Sequence, residues 1–295
     1  MASLQVCIIS LPQAKARQVW LTQHLQSLGM TDHYNFFPAM RGSASPAERR
    51  GLTPGEDGLW QSVLALLKEH QSEADYLHIL EDDAELSPHL WRCLKNLPAQ
   101  VREAHLVFTD MYAGAAVYPE LLKRAQQTRK QQALMWLAGQ AYTGCTTSWL
   151  IPKQHIPTVR RTLEEAYSNS TARIPLDNQL RRLVLSGELK AAISLPFLTS
   201  INLGEQNTSS IQQDEEGAVK ATRLLGALLR RRLSVLQQPD DLDTLGSLLS
   251  TLLGSDGVNQ WLATGLIPAL QQQQALRYRF DPRLLAEPGN DQAKS

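Results

Sequence analysis

The chain has 295 residues, 43% of them hydrophobic and 20% charged, enough to enclose a full core. Lys plus Arg and Asp plus Glu both number 29, so the formal net charge is zero, without the basic excess expected of a nucleic-acid-binding protein. The 3 cysteines (Cys7, Cys93, Cys145) are scattered and follow no metal-ligand spacing, which argues against a disulfide framework and for a reducing compartment.

Val6 to Leu11 is an apolar run stopped by Pro12. It has no basic residues before it, so it reads as a first buried strand rather than a signal peptide. Residues 13–28 follow with helical spacing and end at Gly29, a natural C-cap. Tyr34 to Met40 reads as a second strand, and Arg41 to Pro54, rich in Gly, Ser, Pro and Arg, as a loop. Glu56 to His70 is amphipathic, with Trp60, Val63, Leu64 and Leu67 on one face. Tyr76 to Leu80 then forms a strand that runs straight into Glu81-Asp82-Asp83, and Ser87-Pro88 looks like a helix N-cap with its first-turn proline.

Ala104 to Thr109 is a further strand. The stretch 112–140 is irregular, with a polar segment, Lys123 to Gln132, read as a helix or loop beside the site. Thr146 to Ile151 is strand-like, Lys153 to Tyr167 helical, Asn178 to Ser186 a helix, and Ala191 to Phe197 a last strand. Alternating strands and helices predict an α/β fold with a mostly parallel central sheet covered on both faces. Beyond residue 213 leucine-rich helical segments take over (Val219 to Leu236, Leu242 to Leu253, Val258 to Leu276), so 214–283 is expected to be a helical appendage to a domain over 1–213, and 284–295 a frayed tail. No stretch approaches the roughly 20 apolar residues that span a bilayer, so the chain reads as soluble and cytoplasmic. Arg223, Arg230, Arg231 and Arg232 lie on one leucine-rich helix; they suit either a peripheral contact with anionic lipid at the inner membrane or the solvated face of a bundle or homo-oligomer.

Three acidic residues after an apolar strand carry the chemistry. In an open α/β sheet, ligands bind outside the carboxyl ends of the strands. Carboxylates there can bind Mn²⁺ or Mg²⁺ together with substrate phosphates. The competing reading is an acidic cap on the helix near Ser87, where the helix dipole favours negative charge.

Several segments, in order, resemble glycosyltransferase family 25, the lipooligosaccharide and collagen galactosyl/glucosyltransferase group. They are Cys7-Ile8-Ile9-Ser10-Leu11 with Arg17, Phe36-Phe37-Pro38-Ala39-Met40-Arg41-Gly42, Leu52-Thr53-Pro54-Gly55-Glu56-Asp57-Gly58, Ile79-Leu80-Glu81-Asp82-Asp83-Ala84, Ile174-Pro175-Leu176-Asp177, and Pro196-Phe197 with Ser209-Ser210-Ile211. The resemblance covers roughly residues 5–212 and stops before the appendage. It implies a GT-A-type nucleotide-sugar-binding fold and an inverting, metal-dependent transfer of a hexose, galactose or glucose, from a UDP-sugar to a hydroxyl of a glycan or lipid-linked saccharide. Two departures stand out. Val63 follows Ser62 where the family carries a histidine, and Asp57 replaces an apolar residue.

On that resemblance the metal is assigned to Asp83 with Glu81, and the donor to Ser10, Leu11, Arg17, Glu56, Ser62, Glu81 and Asp82. Arg17 is a diphosphate or base contact, and Glu56 is alternatively a helix N-terminal acid. Asp177 is the candidate general base, alternatively an N-cap, with Asp110 as a second candidate. Trp136 and Tyr142 are either an acceptor platform or core. A weakened, scaffold-like relative and a nucleotidyltransferase remain the competing functions.

Overall fold

The structure, a computed structural model, describes residues 2–30, 34–70, 73–113, 117–130, 134–203 and 217–236. Its first strand, β1 (Leu4–Ser10), sends Val6 and Ile8 to one face and Cys7 and Ile9 to the other, and all four are buried. A strand buried on both faces needs helices on both, which explains its unbroken apolar run. The helix α1 (Lys15–Ser27) follows and ends where Gly29 takes φ +75, a conformation that glycine adopts without strain.

The main sheet has seven strands in the order β2 (Tyr34–Pro38), β1, β3 (Tyr76–Glu81), β7 (Ser148–Pro152), β5 (Leu106–Phe108), β8 (Ala191–Leu195), β6 (Met135–Ala138). Five strands run one way; β7 and β6 are antiparallel to their neighbours. The sheet is mostly parallel, as the alternation of elements predicts, but two strands oppose it. The β7 strand enters between β3 and β5 after a long excursion through α6 (Tyr118–Lys130) and β6, and a return from that edge reverses its direction. One face packs on α3 (Pro54–Glu69), α6, α7 (Ile156–Asn169) and α8 (Leu176–Leu185), and the other on α1, α4 (Leu90–Lys95) and α5 (Ala99–Arg102). The remaining short helix, α2 (Pro46–Arg49), interrupts the stretch from Arg41 to Pro54 that composition marks as loop.

Two sequence expectations change here. The helix expected at Ser87-Pro88 starts at Leu90, and the Ser87 N–H before it donates to Leu198 O at 3.0 Å. That bond extends a small two-stranded ribbon, β4 (Ala84–Leu86) with β9 (Thr199–Ile201), beside the acidic turn. The larger change concerns α9 (Gly217–Arg232), expected to belong to a separate appendage. Its Leu225, Leu228 and Leu229, with Leu233 after it, join the same hydrophobic core as α3 and α6. Its end is stitched to the chain by Phe197 N–H to Leu233 O and Val235 N–H to Phe197 O, both 2.9 Å. Residues 217–236, the described part of the expected appendage, thus share the core of the domain before them. Three of the four arginines, those at 230–232, do not form a solvated patch either. Arg230 and Arg232 are buried, and Arg231 pairs with Glu85. The segments Leu242 to Leu253, Val258 to Leu276 and 284–295, together with Ser209-Ser210-Ile211, lie outside the described residues. Among the described residues, no helix is long and apolar enough to cross a membrane.

Candidate active site

The carboxyl ends of β1, β2, β3, β5 and β8 share one edge of the sheet, and the antiparallel β7 starts there. At that edge a cavity of about 310 Å³ opens between Leu11 and Arg17, the wall Ala39-Met40-Arg41-Gly42, the first turns of α3, and Glu81-Asp82-Asp83. Of the sequence-assigned donor and metal residues, Leu11, Arg17, Ser62, Glu81, Asp82 and Asp83 line it.

Each of the three acids has a different setting. The Asp82 carboxylate is buried and held by the Ser10 hydroxyl at 2.6 Å and by Arg17 at 3.2 Å. Burial raises its pKa, and Ser10 and then Arg17 hold it down. Ser10 is itself fixed by Gln18, whose side-chain amide donates to Ser10 Oγ and to Leu11 O, each at 3.0 Å. Glu81 accepts from Thr146 Oγ1 at 2.7 Å; burial, then the neighbouring Asp83 charge, pushes it up to about 8. Asp83 is pushed up to about 6, by burial and then by Asp82. Clustering three carboxylates at such a depth costs free energy, and a cation placed among them would offset it.

One observation bears directly on a cation. The Asp83 Oδ1 atom is buried and makes no hydrogen bond. Among the described residues no three His, Cys, Asp or Glu side chains converge as a closed cage. A hard divalent ion needs no such cage, since it is commonly held by one or two carboxylates together with phosphate and water oxygens.

The opposite wall is set by close backbone approach. A methyl group on Gly58 would lie 2.6 Å from Met40 O, and one on Gly42 would lie 2.2 Å from Pro54 O. Ser62 Oγ accepts from the Met40 N–H at 2.8 Å and donates to Gly58 O at 2.6 Å. Asp57, the acid in place of an apolar residue, is buried under this wall. It accepts from Ser43 N–H at 2.9 Å and Tyr167 OH at 2.7 Å, and pairs with Arg173 at 3.6 Å. Val63 is in the core, 1% exposed, so a valine at that position takes nothing from the cavity wall.

Two assignments need correction. Glu56 does not face the cavity as a donor contact: its carboxylate accepts from Thr53 N–H at 2.8 Å and Thr53 Oγ1 at 2.9 Å, closing a capping box on α3. Asp110 is fully buried, with one oxygen shared by Thr199 and Arg230, so it meets no acceptor hydroxyl. Tyr142 is core, 1% exposed and stacked on Phe108 at 4.0 Å. Asp177 is not the N-cap of its helix, a position held by Pro175; it lies in the first turn of α8. Its Oδ1 accepts from Asn178 N–H at 2.7 Å, and its Oδ2 lies over Gly144, 3.2 Å from where a Cβ would be. Gly144 (φ +123) and Cys145 (φ 107) form a left-handed pair beneath it. Burial, more than any neighbouring charge, raises the Asp177 pKa.

Residues to which the sequence assigned no role complete the site. Gln18 and Thr146 act on Ser10 and Glu81, and Met40, Gly42 and Gly58 interlock to form the wall. Arg230, from a helix expected elsewhere, neutralises Asp110 and lies within electrostatic range of Asp83. The family-like segment around Gly42 and Gly58 held a signal in its glycines; Arg230 had none.

No protein-family model matches the chain, and no curated protein matches it. Among solved structures it is similar to a mutant of Drosophila β1,4-galactosyltransferase 7 in complex with manganese, UDP-Gal and xylobiose, with 9% identity over 75% of this chain and 79% of that one, at a TM-score of 0.39. The catalytic domain of the same enzyme with xylobiose gives 10% identity, 76% and 80% coverage and a TM-score of 0.37. The galactosyltransferase LgtC in complex with donor and acceptor sugar analogues gives 12% identity, 82% and 99% coverage and a TM-score of 0.38.

Proposed function

We propose that this chain is a GT-A-type, metal-dependent glycosyltransferase that moves a hexose, galactose or glucose, from a UDP-sugar to a hydroxyl of a glycan or lipid-linked saccharide. The observation that carries this reading is the acidic turn at the carboxyl end of β3. It opens on a cavity, with Asp82 fixed by Ser10 and Arg17 and a buried Asp83 oxygen without a partner. The ordered segments resembling glycosyltransferase family 25 point the same way.

In this reading the nucleoside occupies the space between Leu11, Arg17 and the Met40–Gly42 wall, which is apolar on one side and cationic on the other. Arg17 holds Asp82 and faces the phosphates with its remaining donors. Asp83 and Glu81 would hold Mn²⁺ or Mg²⁺, which would supply Lewis-acid stabilisation of the departing diphosphate. Asp177 accepts the proton of the acceptor hydroxyl on Oδ2. Burial raises its pKa, which makes it a stronger base than a solvated aspartate. A base on the acceptor side and a leaving group on the other give inversion at the anomeric carbon. A cytoplasmic protein acting at the membrane surface on lipid-linked sugars is consistent with this chemistry.

The test is calorimetry and donor hydrolysis with UDP, UDP-Gal and UDP-Glc in the presence of Mn²⁺. Absence of any manganese-dependent UDP or UDP-sugar binding would falsify the proposal. Asp177→Asn should lower transfer by roughly 10²- to 10⁴-fold, the usual contribution of a general base, while UDP binding is unchanged. Transfer at the wild-type rate in Asp177→Asn removes Asp177 from the mechanism.

A further inference from the structure

Tyr112 is 47% exposed, although Met111 and Ala113 on either side of it are fully buried. Its backbone is fixed at both ends: its N–H donates to Gly144 O at 2.9 Å, and its carbonyl accepts from Thr143 Oγ1 at 2.5 Å. Its ring rests against α9 at Gly226, where a Cβ would lie 3.1 Å from Cε2 and 3.5 Å from the hydroxyl. One turn further along that helix, Arg230 grips Asp110, two residues before Tyr112. Helix α9 thus supports the segment 110–112 twice, by a charge pair and by a bare backbone. The residue that accepts the Tyr112 N–H, Gly144, is also the one over which Asp177 Oδ2 lies. The Tyr112 backbone and the proposed base therefore meet at the same Gly144–Cys145 turn. A large aromatic held this firmly offers its free face as a stacking surface.

We propose that Tyr112 is the acceptor platform. A pyranose ring stacks its C–H face on the tyrosine, which brings one of its hydroxyls to Asp177. The ligand class is a saccharide with an unbroken C–H face, as in β-linked glucosides and galactosides. The role of Asp177 as base rests on the function proposed above; the binding of a sugar to Tyr112 is testable without it. Trp136 and Tyr142, the aromatic residues that the sequence offers for this role, do not have this placement, since Tyr142 is core and Trp136 packs beside the second core cluster.

Saturation-transfer NMR on the full chain, with cellobiose and lactose as probes and UDP with Mn²⁺ present, reads the platform directly. Calorimetry of UDP on the same samples reads the donor site. Saturation should reach the C–H protons of one sugar face in wild type. Sugar affinity should fall about tenfold in Tyr112→Ala, as loss of one aromatic stacking surface implies, and be retained in Tyr112→Phe. Gly226→Ala, which pushes a methyl group onto the ring, should weaken the sugar while leaving UDP unchanged. Wild-type sugar affinity in Tyr112→Ala overturns the platform, as does absence of sugar binding in a protein that binds UDP. Sugar binding that depends on Tyr112 in a chain that binds no UDP upholds the platform and overturns the donor reading instead.

Discussion

Arg230 Nε donates to Asp110 Oδ2 at 3.1 Å, and its Nη2 donates to the same oxygen, so that α9 is joined to the carboxyl end of β5 by a charge pair almost without solvent contact. The same Asp110 oxygen accepts from Thr199 at 2.7 Å, and Thr199 continues through Thr109 and Ser148 to His78. This buried polar chain crosses the sheet from α9 to β3. Breaking it at one end leaves a charge that nothing else neutralises.

Arg230→Met should therefore destabilise the protein by about 3–5 kcal/mol, the cost of stranding one member of a buried pair. Adding Asp110→Asn should recover part of that loss, because the uncompensated charge is gone. Urea unfolding of the two single variants and the double variant checks it; strictly additive losses would show that the pair is not coupled.

For the metal, Asp83→Ala should abolish the rise in melting temperature that Mn²⁺ with UDP gives the wild type. Thr146→Val acts one step back, by removing the hydroxyl that orients Glu81. It should weaken Mn²⁺ by about 10- to 100-fold, as loss of an outer-shell partner does. Thermal shift and calorimetry measure both. A manganese response that persists in Asp83→Ala would remove that residue from the site.

The cavity wall depends on two backbones in contact. In Gly58→Ala the new methyl group meets Met40 O at 2.6 Å, with backbone on both sides and no side chain to move. The expected loss is about 1–3 kcal/mol from overpacking, with weaker UDP binding because the Met40–Gly42 segment is displaced. Gly29→Ala is a control of a different kind: it has open space but a strained φ, so it should cost stability and leave UDP affinity alone.

His78 is fully buried, with Nε2 on Ser148 Oγ at 2.8 Å, and burial pushes its pKa down from 6.5 to about 3. Below pH 6.5 the unfolded chain takes up a proton that the folded chain refuses. The stability linked to this group is thus complete above 6.5 and falls as pH drops toward 3, by about 1.4 kcal/mol per pH unit. Comparing wild type with His78→Asn, the slope of unfolding free energy against pH between 6 and 4 should differ by close to one proton. Equal slopes would mean that His78 titrates normally.

Much of the fold is legible in the residues, because it is written locally. The apolar run before Pro12 and the strand from Tyr76 appear where expected, Gly29 stops its helix, and Thr53 with Glu56 starts another through a capping box. The acidic turn at the end of β3 is legible for the same reason: a strand's carboxyl end and three acids are adjacent in sequence.

Other features have no local signature. The reversed direction of β7 and β6, the ribbon of β4 with β9 and the burial of Asp110 all depend on partners distant in the chain. Arg230 is the clearest case. In sequence it is one of three consecutive arginines on a leucine-rich helix, and composition alone assigns them to a surface. Sequence determined which segments are strands and helices and put the three carboxylates at a strand end. The tertiary structure decided that the later helix belongs to the same core. A charge can be buried only where an opposite charge and hydrogen-bond partners meet it, and that meeting is a property of three dimensions.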